Sequence, residues 1–203
     1  MNIEALSIGK DVPNDFNVVI EIPARTPGIK YELDKASGCV MVDRFMATPM
    51  HYPYDYGFIP HTLSEDGDPV DVLVIAPYAL QPGVVVHCRP LGVLEMEDEA
   101  GKDAKLVAVP ISRLTPRYNK VHGIDDLQPL ILEQIAHFFE HYKDLKKASG
   151  SRSRAGRAST PPKKKFWRPW NASRTARKSP IFRRVLPCYP LTVADKTKRS
   201  VAP

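Results

Sequence analysis

Cysteine is scarce in this chain of 203 residues. Cys39, Cys88 and Cys188 form an odd set with no C-x-x-C spacing, which argues against both a disulfide framework and a zinc cluster. Long apolar runs are missing as well, and none approaches the roughly 18 residues of a membrane-spanning helix. The opening stretch MNIEALSIGKDVPND has no basic segment followed by an apolar one, the pattern of a secretory leader. A cytoplasmic protein without a membrane partner is therefore expected. Acids are nearly absent from one region: residues 146–203 hold 17 Lys+Arg against 1 acid, net +16, whereas residues 1–145 hold 12 against 22, net −10. The overall charge of +6 describes neither part. The length suits one domain with a substantial core plus a tail.

From Asn17 to about Pro110 the chain reads as short strands between turns: NVVIEIP, KYELD, CVMVDRF, DVLVIAP, VVVHCRPLGVLEME and KLVAVP. They are rich in Val and Ile and bounded by Pro, Gly and Asp, the pattern of an antiparallel barrel or sandwich. No helical stretch separates them, which argues against a doubly wound α/β sheet. After Asp125 the period changes. In DDLQPLILEQIAHFFEHYKDLKK, Leu132, Ile135, Phe138, Phe139 and Tyr142 recur at spacings of three and four, predicting an amphipathic helix that packs on the barrel.

The stretch SEDGDPVDVLVIAP crowds Asp66, Asp68 and Asp71 into six residues beside an apolar strand. Three close carboxylates resist ionising together unless a positive charge lies between them. An all-oxygen set of this kind suits a hard divalent cation, Mg²⁺ or Mn²⁺, better than zinc. Alternation along DGD sends Asp66 and Asp68 to one side, and Pro69 bends the chain so that Asp71 can converge with them. A second acidic group, Asp98, Glu99 and Asp103, precedes a strand and has Lys105 beside it. Lys30, Arg44, Tyr52 and Tyr56 add cations and neutral donors. Together these residue types describe a site for metal-bound phosphate.

Three other motif readings fail on their requirements. An EF-hand loop needs Gly sixth and Glu twelfth, but Gly67 comes second and Ala76 stands near the place of the Glu. A phospho-aspartate enzyme needs a parallel α/β sheet that the pattern lacks. His137, Glu140 and His141 match the zinc motif H-x-x-E-H, but no third ligand is evident, so a structural helix is expected. His51, His61, His87 and His122 form no cluster.

The stretches DGDPVDV, EIPARTPGIKYELDK, VDRFMATPMHYPYDYGFIPHT, LQPGVVVHCRPLGVLEMEDEAGKDAKLVAVP and QIAHFFEHYKDL closely resemble the soluble family I inorganic pyrophosphatases of bacteria, over about residues 5 to 147. The resemblance implies a five-stranded OB-like β-barrel with flanking helices over residues 1–147, and magnesium-dependent hydrolysis of pyrophosphate. It implies that Asp66, Asp71 and Asp103 ligate activating magnesium, with Asp71 bridging two ions, and that Asp98 and Asp103 hold a metal arriving with the substrate. Glu21, Glu32 and Glu99 would act largely through metal-bound waters, and Asp68 would be the general base. Lys30, Arg44, Tyr56, Lys105, Tyr142 and Lys143 would hold phosphate oxygens. Bacterial members form hexamers, so a homo-oligomer is expected.

The tail breaks the pattern. Family members continue after HYKDL with a stretch such as G-K-W-V-K-V-E-G-W, whereas this chain reads KKASGSRSRAGRAS. A permitted back-translation of KASGSRSRAG, read two bases in, encodes G-K-W-V-K-V-E-G-W, and RASTPP then allows I-D-A-A. A frameshift near Lys146 or Lys147 is the expectation, which resequencing of the gene there would decide. Residues 148–203, rich in Arg, Ser, Pro and Lys, are expected to form no core. The competing reading is an OB-fold nucleic-acid module with a basic arm, using Phe166, Trp167 and Trp170 for stacking. An acidic barrel face suits a phosphate backbone poorly.

Overall fold

In a computed structural model, the structure describes residues 2–64, 67–98, 101–145 and 166–169. The strands are β1 (Phe16–Ile22), β2 (Ile29–Asp34), β3 (Cys39–Phe45), β4 (Asp55–Phe58), β5 (Asp71–Val74), β6 (Val85–Asp98), β7 (Gly101–Pro110) and β8 (Phe166–Pro169). One α-helix, α1 (Pro129–His141), follows β7 among the described residues. Within the main sheet the order is β1-β4-β5-β7-β6-β8, and β1 also pairs with β6. That extra pairing closes β1, β4, β5, β7 and β6 into a five-stranded barrel of OB-like form, while β2 and β3 make a separate hairpin.

Alternation explains how both faces of these strands are buried. Val72, Val74, Leu106 and Ala108 join one apolar cluster with Phe16, Val18 and Ile20. Their neighbours Leu73, Val107 and Val109 join a second cluster that includes Ile135, Phe138 and Phe139 of α1. Period-two alternation thus divides each strand between two apolar layers. The helix begins at Pro129 in its first turn, where a missing N–H costs nothing, and is shorter than the 125–147 stretch expected.

Two further expectations need correcting. The antiparallel pattern breaks at β5 and β7, which pair in parallel, Val72 opposite Leu106. MHYPYDYGFIP, absent from the strands read in the sequence, contains β4, whose DYGF sequence lacks the Val/Ile signature. Within residues 148–203, expected to form no core, Phe166–Pro169 make β8, which pairs antiparallel with β6; the rest of that stretch lies outside the described residues.

β-Bulges aim two carboxylates. Ile20 opposes Gly57 and Ile22 opposes Tyr56, so Glu21 is an extra residue in β1. Likewise Lys30 opposes Arg44 and Tyr31 opposes Val42, leaving Asp43 as the extra residue in β3. Bulges of this kind re-aim side chains beside active sites.

Candidate active site

Parallel pairing of β5 with β7 brings the two acidic segments together. With Val72 beside Leu106, the preceding residues Asp71 and Lys105 fall side by side. Lys105 is only 6% exposed; its ammonium is paired with Asp71 Oδ2 and lies 2.9 Å from Asp103 Oδ1. Burial pushes its pKa down, but the two carboxylates outweigh this and hold it above the ordinary lysine value. Tyr56 of β4 is hydrogen-bonded to Asp71, and burial keeps its phenol protonated well beyond the usual range. The sheet has gathered Tyr56 of β4, Asp71 of β5 and the Asp103–Lys105 pair of β7 from three segments of sequence.

Glu21 joins this group through its bulge. Its Oε1 accepts a hydrogen bond from the Leu33 N–H at 2.8 Å. Burial, with a smaller push from the Asp71 charge, raises its pKa to about 7 despite that bond. A carboxyl whose folded value is raised stabilises the fold below its unfolded value of 4.5, and loses that contribution as pH rises through about 7. In chelator, the urea midpoint of the wild-type chain should therefore fall relative to Glu21→Gln between pH 5 and 7.5. A constant difference across that range would contradict the burial of Glu21.

A second group lines a cleft of about 440 Å³ open to solvent: Lys30, Arg44, Tyr52, Tyr142 and Lys143, with Phe45, Met46 and Ala47. Lys30 and Arg44 face each other across β2 and β3, and like charges so placed repel. The bulged Asp43 relieves this, at 3.3 Å from Lys30 and 3.1 Å from Arg44; Glu32 also pairs with Lys30. Tyr142 follows α1 and stacks on Phe138, with ring centroids 5.1 Å apart. Its carbonyl accepts a hydrogen bond from Thr48 Oγ1 at 3.3 Å, which fixes the helix end over the cleft. Tyr52 is buried and links the two groups, its ring 5.2 Å from Tyr56 and 6.4 Å from Tyr142.

Asp68 sits on an exposed turn in which Ser64 N–H donates to the Asp68 carbonyl at 2.7 Å. The base of that loop is tied by buried Thr62, whose Oγ1 accepts from Val70 N–H at 2.9 Å and donates to Ile59 O at 2.6 Å. Gly67 in the turn has φ +92, a conformation glycine adopts without strain. Asp66 and Glu99 lie outside the described residues, and of Asp98, which ends β6, only the backbone is described. The structure therefore brings Asp71, Asp103 and Tyr56 to Lys105, with Glu21 within electrostatic reach of Asp71, and separately groups Lys30, Glu32, Arg44, Tyr142 and Lys143.

Asp43, Thr48 and Thr62 were missed in the sequence. A signal existed for Asp43: two cations placed opposite each other in a hairpin call for a neighbouring acid. The threonines left none, because their partners are backbone groups brought near only by folding.

The donors suit a hard divalent cation. They are carboxylate oxygens, two of them already share one buried ammonium, and Glu21 is short of positive charge. Among the described residues, no three His, Cys, Asp or Glu side chains gather into a metal-ready group. That holds for α1 too: the His137 and His141 rings lie 4.5 Å apart, and His141 Nδ1 lies 2.9 Å from Asp144. Also among the described residues, no helix is long and apolar enough to cross a membrane.

Comparison with known proteins points to one family. The sequence model of inorganic pyrophosphatase matches residues 18–160. The inorganic pyrophosphatase of Bradyrhizobium diazoefficiens is 61% identical over 147 residues, which are 72% of this chain and 83% of that protein. The Escherichia coli K12 inorganic pyrophosphatase is 62% identical over 147 residues, covering 72% and 84%. A solved inorganic pyrophosphatase from Coxiella burnetii superposes with a TM-score of 0.68 at 51% identity, covering 70% of this chain and 84% of that one. These relatives give no support to a nucleic-acid module. From its barrel, its carboxylate and cation groups and these matches, the chain belongs to the inorganic pyrophosphatase family.

Proposed function

We propose that this chain hydrolyses magnesium pyrophosphate to two phosphates by in-line attack of water, without a covalent enzyme intermediate. The observation that carries this reading is the convergence of Asp71, Asp103 and Tyr56 on Lys105, close to a cleft lined by Lys30, Arg44, Tyr142 and Lys143. Magnesium, or manganese in its place, held by Asp66, Asp71, Asp98 and Asp103 with Glu21, Glu32 and Glu99 acting through waters, would offset the repulsion between these carboxylates and the substrate and make the attacking water more acidic.

The remaining steps belong to the chain. Asp68 takes the proton of the attacking water as its oxygen bonds to phosphorus. The bridging P–O bond breaks, and the departing phosphate gains negative charge. Lys30, Arg44, Lys143 and the Tyr142 hydroxyl hold the substrate oxygens and stabilise that charge. Lys105 and the protonated Tyr56 hold further phosphate oxygens beside Asp71. Asp43 keeps Lys30 and Arg44 aligned. Assembly into a homo-oligomer in the cytoplasm completes the reading, and sedimentation of the purified chain tests its first part.

Phosphate release should be measured on the full chain, with and without magnesium, beside Asp68→Asn. Release should depend on magnesium and drop on the order of a hundredfold in the variant. No release from folded protein, or release indifferent to Asp68, would count against the reading.

A further inference from the structure

We propose that the edge of β6 over Gly92–Glu95 is a docking site for an extended aromatic and basic strand, occupied by this chain's own Phe166–Pro169. β6 is 14 residues long, but β1 covers its outer edge only from Val85 to Cys88. Beyond that, the N–H and C=O groups of an uncovered edge would be open to pairing with another chain. β8 takes that place, with Gly92 opposite Pro169, Val93 opposite Arg168, Leu94 opposite Trp167 and Glu95 opposite Phe166.

The edge is built for this approach. A Cβ at Gly92 would stand 2.8 Å from the Arg168 carbonyl oxygen and 2.9 Å from Ile124 Cβ, so only glycine lets the two backbones meet. Trp167 is half-buried and packs against the cluster containing Leu94 and Ile124. Arg168 Nε reaches Glu95 Oε2 at 3.2 Å. Pro169, without an N–H, ends the pairing. The charges favour the same contact, since the body up to residue 145 carries −10 and the remainder +16.

The docked strand lies in register with the proposed site. Leu94 is opposite Trp167 on one side and opposite Lys105 on the other, and Met96 is opposite Asp103. One sheet row therefore runs from Trp167 through Leu94 to Lys105. The strand braces the part of β6 and β7 that presents the lysine and its acidic partner.

The chain has two tryptophans, Trp167 and Trp170, so Trp170→Phe in the full chain leaves Trp167 as its single indole. Its emission should be blue-shifted and shielded from acrylamide at low protein concentration. Gly92→Val should shift the emission to the red and raise quenching toward the unfolded value. Arg168→Glu, which leaves the barrel sequence intact and so guards against misfolding, should do the same while circular dichroism stays unchanged. A solvent-like indole in the folded Trp170→Phe chain would overturn the proposal. So would a blue shift that Arg168→Glu leaves in place, or one that develops only as concentration rises, which would mean a second copy's strand occupies the edge.

Discussion

Lys105→Met should lower phosphate release from pyrophosphate about 10²- to 10³-fold, the scale of losing one preorganised electrostatic contact to a developing charge. Methionine keeps much of the length and apolar stem of lysine, so the change isolates the charge. In the absence of metal the same substitution should also destabilise the fold. Lys105 is buried and paired with Asp71 and near Asp103, and removing one partner of a buried ion pair costs about 3–5 kcal/mol. Magnesium acts in the opposite direction. With no ammonium competing for the same oxygens, the variant should bind the ion more tightly than the wild-type chain, and its melting temperature should rise more steeply with magnesium. Calorimetric titration and melting curves in chelator and in magnesium test this together. Lost activity with unchanged metal affinity and an unchanged melting curve would mean that Lys105 does not bridge the two carboxylates.

Gly57→Ala should cost about 4 kcal/mol or more and leave much of the chain unfolded, given the 5–15 kcal/mol that holds an ordinary domain together. Glycine-to-alanine changes often stabilise by about 0.4–1 kcal/mol through the unfolded state. Sterics outweigh that here. A Cβ on Gly57 would lie 1.9 Å from the Val19 carbonyl oxygen and 2.9 Å from Ile20 Cα, both backbone atoms that cannot swing aside. The contact falls next to the bulge that aims Glu21 and one residue from Tyr56, so relief of the clash would displace site residues. Denaturant unfolding followed by circular dichroism is the measurement; a midpoint equal to that of the wild-type chain would contradict the close approach of β1 and β4.

Most strands were legible because a strand buried on both faces needs an apolar run, and β1, β5, β6 and β7 each carry one. β4 was not, since its Asp-Tyr-Gly-Phe sequence is buried by neighbours rather than marked by propensity. The parallel pairing of β5 with β7 was equally hidden, because local pattern says nothing of which distant strand lies alongside. At the site, residue types and spacing pointed to the acidic segments and the phosphate-holding cations. Their joining at Lys105, the aim of Glu21 and Asp43, and the clamps from Thr48 and Thr62 arose from bulges and long-range packing.

The tail divides the same way. Composition alone marks residues 146–203 as unlike the body, with a reversal of charge from −10 to +16, and motif spacing alone identifies the family and the carboxylate and cation types it uses. Both are properties of neighbouring residues, readable wherever the chain goes. That Phe166–Pro169 finds the edge of β6, and that Asp71 reaches the buried lysine beside Asp103, depends on contacts between residues more than thirty apart in sequence. Such contacts are set by which surfaces can close on each other without clash, as the glycines at 57 and 92 allow, and therefore only the folded chain decides them.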